Sequence, residues 1–182
     1  MAATLQLEET ILLKTPLQKG MVLTFKSDYL DLTPSDLGST RLQLWNKDKD
    51  VVLQILIQRR PSRVLFNAGT QLSPLDGWGR AEEITNITNS WPTSNFAISL
   101  HDCGTQYQVL FNLTTVYYFH KRFSTTSTVT KVTYLQESRA ETLHRSLKVS
   151  VYNLAALPAK EKQAIEMGRQ VQGLRFSGSY RP

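Results

Sequence analysis

The chain has 182 residues, with 21 lysines and arginines against 15 aspartates and glutamates, and a single cysteine. That length suits one sizeable domain of roughly 150 residues plus an appendage, and an apolar fraction of 41 % with 20 % charged residues excludes wholesale disorder. Cys103 has no second cysteine to pair with, and His101, His120 and His144 are the only histidines, so neither a disulfide framework nor a zinc cluster is expected.

The formal charge of +6 is unevenly placed. Beyond residue 154, Lys160, Lys162, Arg169, Arg175 and Arg181 face only Glu161 and Glu166, which makes the end of the chain basic. The rest of the excess is spread too thinly over the body to read as a nucleic-acid surface. The start, from Met1 to Glu9, has neither the basic stretch nor the apolar run of a secretory signal, so cytosolic synthesis is expected. No segment approaches the roughly 20 apolar residues of a membrane helix. Asn86-Ile87-Thr88 and Asn112-Leu113-Thr114 match the glycosylation pattern, but without a signal they are not expected to meet that machinery.

In chain order, short β-rich runs alternate with turn residues. Leu5–Leu13 alternates and is broken by Thr15-Pro16. Met21–Ser27 follows, then a break from Pro34 to Gly38, the run Arg41–Trp45, a polar turn from Asn46 to Asp50, and the runs Val51–Gln58 and Arg63–Ala68. After a second break from Ser73 to Gly77 come Phe96–His101, Gln106–Leu113, Thr115–Phe123, Val129–Tyr134 and Leu147–Leu154. Ten short strands without an intervening helix predict an all-β antiparallel sandwich or barrel over residues 1–154. Its inward rows are buried between the sheets, and its outward rows stay free to bind something.

Residues 155–182 form a basic C-terminal extension of different character. Pro158 suits a first helical turn, helix formers follow, and Ala164, Ile165, Met167 and Val171 make a thin apolar stripe. Gly168 weakens such a helix by about 1 kcal/mol relative to Ala. The final stretch from Ser177 to Pro182 has the composition of a flexible end. A docked helix, an oligomer contact and a solvated extension all fit this segment.

No enzyme constellation is present, and no catalytic residue, metal or cofactor is expected. His101-Asp102-Cys103 are neighbours along the chain, and adjacent residues on a strand point different ways. No serine sits in a nucleophile-elbow pattern, and the nine glycines never form a phosphate loop. Glu82 and Glu83 adjoin in sequence, which is not the opposed geometry of a glycosidase pair.

The specific signal lies between Asp50 and Ile84. Strand periodicity puts Val51, Leu53, Ile55 and Ile57 on one face and Val52, Gln54, Leu56, Gln58 and Arg60 on the other. The first set is wholly apolar and faces the core, and the second faces outward. The run Arg63–Ala68 carries Asn67 outward beside a buried Phe66, and Gly77-Trp78-Gly79-Arg80-Ala81-Glu82-Glu83-Ile84 follows after a loop.

This succession resembles the galectin family, and more narrowly the galectins of mushroom-type fungi. Supporting stretches are Leu23–Leu32, Gln106–Asn112 and Thr115–Arg122, so the resemblance covers about residues 4 to 154. It implies a two-sheet lectin sandwich with an outward His, Asn-or-small and Arg row on one strand, an Asn on the next, and a Trp-Gly-x-Glu-x-Arg segment. Here the histidine position falls on Gln54, the small position on Leu56 and the arginine position on Gln58. Asn67 and Trp78 match. With Trp78 fixed, the glutamate position falls on Ala81 and the last arginine position on Glu83, while a slide of one residue recovers Glu82 but no arginine. The charged hydrogen-bonding frame of a β-galactoside reader is therefore broken.

Charge-assisted hydrogen bonds contribute about 1.5–3 kcal/mol each. Losing three removes most of a micromolar-class affinity of about 8 kcal/mol, so weak or absent lactose binding is expected. Glutamine both donates and accepts, so Gln54 and Gln58 suit a different hydroxyl pattern. The resemblance extends to a fungal branch similar to a chitooligosaccharide binder, which implies glycans containing N-acetylglucosamine. The candidate carbohydrate-binding residues are Gln54, Gln58, Asn67, Trp78, Arg80 and Glu82. The expected partners are glycans or glycoconjugates, with no specific nucleic acid, and self-association would supply avidity. Export by an unconventional route is what the resemblance implies.

Duller roles exist for each residue. Trp78 fits the cap of a sheet edge, Asn67 a loop anchor, Gln54 and Gln58 plain solvent-facing strand positions, and Leu56 a site covered by the tail. Trp45 and Trp91 fit packing or loop closure, and Arg59, Arg60 and Arg63 a solvated basic edge. An interaction module that has lost sugar binding, and an anionic-surface binder using those arginines and the tail, are the alternatives.

Overall fold

The computed structural model of the chain describes residues 2–33, 37–70, 77–85, 93–124, 127–136 and 140–176. The break at Pro34-Ser35-Asp36, residues 73–76 of the second break, Asn86-Ile87-Thr88, Trp91 and the end from Ser177 to Pro182 lie outside the described residues.

Two antiparallel six-stranded sheets pack face to face. The first joins β1 (Ala3–Gln6), β12 (Ser146–Asn153), β3 (Met21–Tyr29), β8 (Ser94–Asp102), β9 (Gln106–Phe111) and β10 (Thr114–His120), in that spatial order. The second joins β2 (Glu9–Leu17), β11 (Val129–Gln136), β4 (Ser39–Trp45), β5 (Asp50–Gln58), β6 (Arg63–Thr70) and β7 (Glu82–Thr85). The inward rows form one core. Phe25, Phe96, Ile98, Val109 and Phe111 come from the first sheet, and Leu42, Leu44, Ile55, Val64, Phe66 and Tyr134 from the second. Near the β7–β10 edge the Phe66 and Tyr117 rings stack across the sandwich, with centroids 4.7 Å apart and planes at 3°.

The alternating patterns become strands for the reason expected, but three details differ. The run Leu5–Leu13 is a hairpin whose arms enter different sheets. It turns at Leu7-Glu8, where Glu8 has a left-handed φ of 62° and the two N–H groups donate to Arg145 O and Tyr134 O. Pro16 does not end the second arm, because β2 is an edge strand and a missing N–H on its open side breaks no ladder bond. In β5 the register against β6 shifts between Val51 and Gln54. The extra residue puts both Val52 and Leu53 in the core and leaves Val51, opposite Trp45, outside that cluster. Strict alternation had assigned Val51 and Val52 the other way round.

After β12 the chain makes a 3-10 turn, Leu154–Ala156, and then α1, Ala159–Phe176. The helix lies on the outer face of the first sheet. Ile165 is buried against Val22 and Leu110, with Leu154 and Leu157 beside them. Of the three roles open to the extension, its first half takes the docked one.

Candidate functional site

The outer face of the second sheet carries the motif residues. Gln43, Gln54 and Asn67 stand directly opposite one another on β4, β5 and β6, each alternating with core residues. This row of three amides is an ordered network. Gln43 Nε2 donates to Gln54 Oε1 at 3.0 Å. Asn67 Oδ1 accepts from the Ala68 N–H at 2.9 Å and from Arg122 Nη1 at 2.7 Å. Both Asn67 partners are donors, which fixes the side chain with its NH2 away from them. The NH2 groups of Gln54 and Asn67 have no partner among the described residues, so two neighbouring strands present two adjacent donors.

Trp78 sits at the end of this row. It forms an isolated bridge with Gly69, two residues beyond Asn67 on the same face of β6. The contact needs a glycine, since a Cβ on Gly69 would lie 2.6 Å from Trp78 Cδ2 and 2.9 Å from Gly77 O. Backbone bonds Thr70 N–H to Gly77 O (3.0 Å) and Gly79 N–H to Ala68 O (3.2 Å) hold the segment in place. The indole is half-buried and outside the core cluster.

Arg122, from the segment after β10 on the other sheet, closes this end. Besides Asn67 it donates to the Arg80 carbonyl, and its Nη2 lies 2.7 Å from Glu82 Oε1. The other carboxylate oxygen, Glu82 Oε2, accepts from the Tyr117 hydroxyl at 2.6 Å. Burial, reinforced by that bond and by the Glu82 charge, pushes the Tyr117 phenol up to about 12. At Gly79 a Cβ would displace the end of the Arg122 side chain, so glycine there leaves room for the guanidinium. A depression of about 430 Å³ opens between Arg80, Glu82, Glu83, Tyr117 and Arg122.

The candidate residues thus divide. Gln54, Asn67 and Trp78 come together. Gln58 lies four residues along β5, roughly 13 Å away at strand rise, where its Oε1 accepts from Arg63 Nε at 2.6 Å. Arg63 Nη1 also pairs with Glu83 Oε2 at 3.1 Å. Arg80 is exposed and contributes its carbonyl to the Arg122 clamp. Glu82 pairs with the inward Phe66, so it stands on the opposite side of β7 from Glu83, at the sandwich edge. Two arginines from outside the motif positions thus stand beside the motif segment's carboxylates, in the pairs Arg122–Glu82 and Arg63–Glu83.

Three further expectations are corrected or sharpened here. Arg59, Arg60 and Arg63 do not form one basic edge. Arg59 is buried and pairs with Asp31 at 2.9 Å, Arg63 belongs to the Gln58 cluster, and Arg60 is exposed. Trp45 packs on the outer face, with its Nε1 donating to Thr133 Oγ1 at 2.9 Å and the Lys131 ammonium 4.8 Å above its ring. His101 and Asp102 do point apart. Asp102 pairs with Lys121, and the wholly buried His101 has its Nδ1 3.2 Å from Gln108 Oε1 and 3.5 Å from Cys103 Sγ.

Arg122 and Gln43 were not foreseen. A signal for Gln43 existed, since the alternation of Arg41–Trp45 sets it outward with the trough. Arg122 had no local signal, because its partners are 40 and 55 residues away in sequence.

No protein-family model matches this sequence. Among solved structures, a single-substitution variant of human galectin-16 superposes with a TM-score of 0.59 at 17 % identity, covering 83 % of this chain and 99 % of that one. A doubly substituted variant of the same protein gives 0.59 at 18 % identity over the same shares. Xenopus laevis galectin-Ib gives 0.56 at 14 % identity, covering 84 % of this chain and all of its own. The fold is therefore the galectin sandwich, to which this chain adds a short C-terminal helix.

Proposed function

We propose that this protein is a non-enzymatic carbohydrate-binding protein that reads glycans on the outer face of its second sheet. The observation that carries this is the pair of unengaged amide donors of Gln54 and Asn67 beside an indole held open over Gly69. Donors for ring and hydroxyl oxygens next to an aromatic face for the sugar's apolar side are what a saccharide site needs. The two galectin-type neighbours share the fold, and the resemblance of Asn67 and Trp78 to the galectin motif supports the same placement.

The chemistry favours an altered specificity. Glutamines replace the motif's imidazole and guanidinium, and a neutral hydrogen bond contributes about 0.5–1.5 kcal/mol against about 1.5–3 for a charged one. Lactose binding is accordingly weak or absent. An acceptor-rich group such as the acetamido carbonyl of N-acetylglucosamine suits the two NH2 donors. Single-site affinity of this kind is modest, and self-association would raise it through avidity.

A broad glycan array with the wild type, Trp78→Ala and Asn67→Ala tests the reading. The wild type is expected to bind a small set of glycans, and both variants to lose the same part of that set. Identical binding profiles for all three would overturn it, and no binding by any of them would favour an interaction module without sugar binding.

A further inference from the structure

The outer face of the first sheet holds a second trough, on the opposite side of the molecule from the motif strands. It exists because the outward positions beside α1 are small: Thr24 and Ser99 are opposite each other on β3 and β8, and Ala97 is opposite Lys26. The chain leaving β12 forms one wall through Leu157 and Pro158, and Asn112 lines the far end. The trough is open to solvent and its volume is about 690 Å³, inside the range of about 300–1,000 Å³ typical of ligand sites.

The lining is chemically mixed in a particular way. The floor is hydroxyl, with Thr24 and Ser99 only 8 % and 7 % exposed and their oxygens 3.0 Å apart, so one hydroxyl proton remains to donate. Lys26 and Lys148 stand directly opposite each other on β3 and β12, and neither has an ion-pair partner among the described residues. Two like charges so placed repel, which is relieved when a ligand accepts hydrogen bonds from both. Asp28 and Glu161 line the same trough and bring its formal charge to zero. Tyr152, 37 % exposed, adds an aromatic surface.

A polyanion would meet two carboxylates here, and an apolar ligand would strand four charged groups. A sugar hydroxyl donates and accepts at once, so it answers ammonium, carboxylate and hydroxyl groups together, while the ring's apolar side packs on the tyrosine. We propose that this trough is a second saccharide-binding site, for a short neutral oligosaccharide, so that one chain holds two glycans on opposite sheets. This inference does not depend on the first site, and the two fail separately.

The test is an array of neutral and sulfated glycans probed with labelled Trp78→Ala, which disables the first site, and with that variant carrying Ala97→Phe to fill the trough. Tyr152→Ala in the same background is the second variant, at a half-exposed position that tolerates truncation. Trp78→Ala is expected to retain neutral glycans that both double variants lose by tenfold or more. Loss of all binding in Ala97→Phe alone, with Trp78→Ala unaffected, would support this site and remove the first. The proposal is overturned if Trp78→Ala binds nothing, if its binding survives both added substitutions, or if it retains only sulfated ligands.

Discussion

Arg122 holds two of the candidate side chains, Asn67 and Glu82, in place. Its guanidinium fixes the Asn67 oxygen and one oxygen of Glu82 together, at 2.7 Å each, and so turns the Asn67 NH2 toward the trough. Its side chain is three-quarters buried, so removing it also leaves Glu82 without its ion pair and costs some stability. Arg122→Ala is expected to weaken glycan binding by roughly 10- to 100-fold, the equivalent of about 1.5–3 kcal/mol for charge-assisted bonds, with a melting temperature lowered by a few degrees but a folded sandwich. Arg122→Lys should fail to restore binding, because an ammonium cannot reproduce the fork that reaches two partners at once. Titration calorimetry on both variants with a glycan bound by the wild type checks this, and full rescue by lysine would contradict it.

At the level of elements, α1 shows how a residue's helix propensity and its role in packing can conflict. Gly168 is costly for an isolated helix, yet here it lets the backbone lie flush on β9 and β10. A Cβ at that position would collide with Thr115 Oγ1 and crowd Gln108 Nε2, and Gln108 is what ties helix to sheet. It is wholly buried, and its NH2 donates to Thr115 Oγ1 at 2.8 Å and to the Ile165 carbonyl at 2.9 Å. Gly168→Ala should therefore destabilise the docked helix although alanine raises intrinsic helicity by about 1 kcal/mol. Hydrogen exchange is expected to show faster exchange of the α1 amides with the strand amides of the sandwich unchanged. Slower exchange in α1 would mean that the close approach does not matter.

For the whole molecule, most of the stability comes from one core shared by two sheets, and a buried ion pair fastens its end. Lys121 Nζ lies 2.8 Å from Asp102 Oδ2 and 4.7 Å above the Tyr107 ring, with both partners of the pair almost inaccessible. Removing one member strands the other charge in the interior, at a cost of about 3–5 kcal/mol. In a protein of this size about 1 kcal/mol shifts the melting temperature by about 2–4 °C. Lys121→Met is expected to lower it by on the order of 10 °C, and Lys121→Met combined with Asp102→Asn to recover a large part of that loss. Calorimetry on the single and double variants decides the point. A double variant no better than the single would show that the loss comes from packing around Tyr107 rather than from the stranded carboxylate.

The amino-acid sequence by itself determined the strand content, the all-β antiparallel class, the outward placement of Gln54, Gln58 and Asn67, and the change of character beyond residue 154. Each of these follows from local periodicity, and a period of two carries across a strand whatever surrounds it. It also marked Trp78 as a candidate, through the resemblance of its segment to the galectin motif. What periodicity does not encode is register between strands and contact between sheets. Only the tertiary structure decided that Val52 rather than Val51 faces the core, that Gln58 stands apart from Asn67, and that Glu82 and Glu83 take opposite sides of β7. The same holds for Arg122, whose guanidinium reaches both Asn67 and Glu82, and for Gly168, whose missing side chain makes room for the sheet. Their partners are brought to them by the fold from tens of residues away, so no window along the chain contains both halves of the interaction.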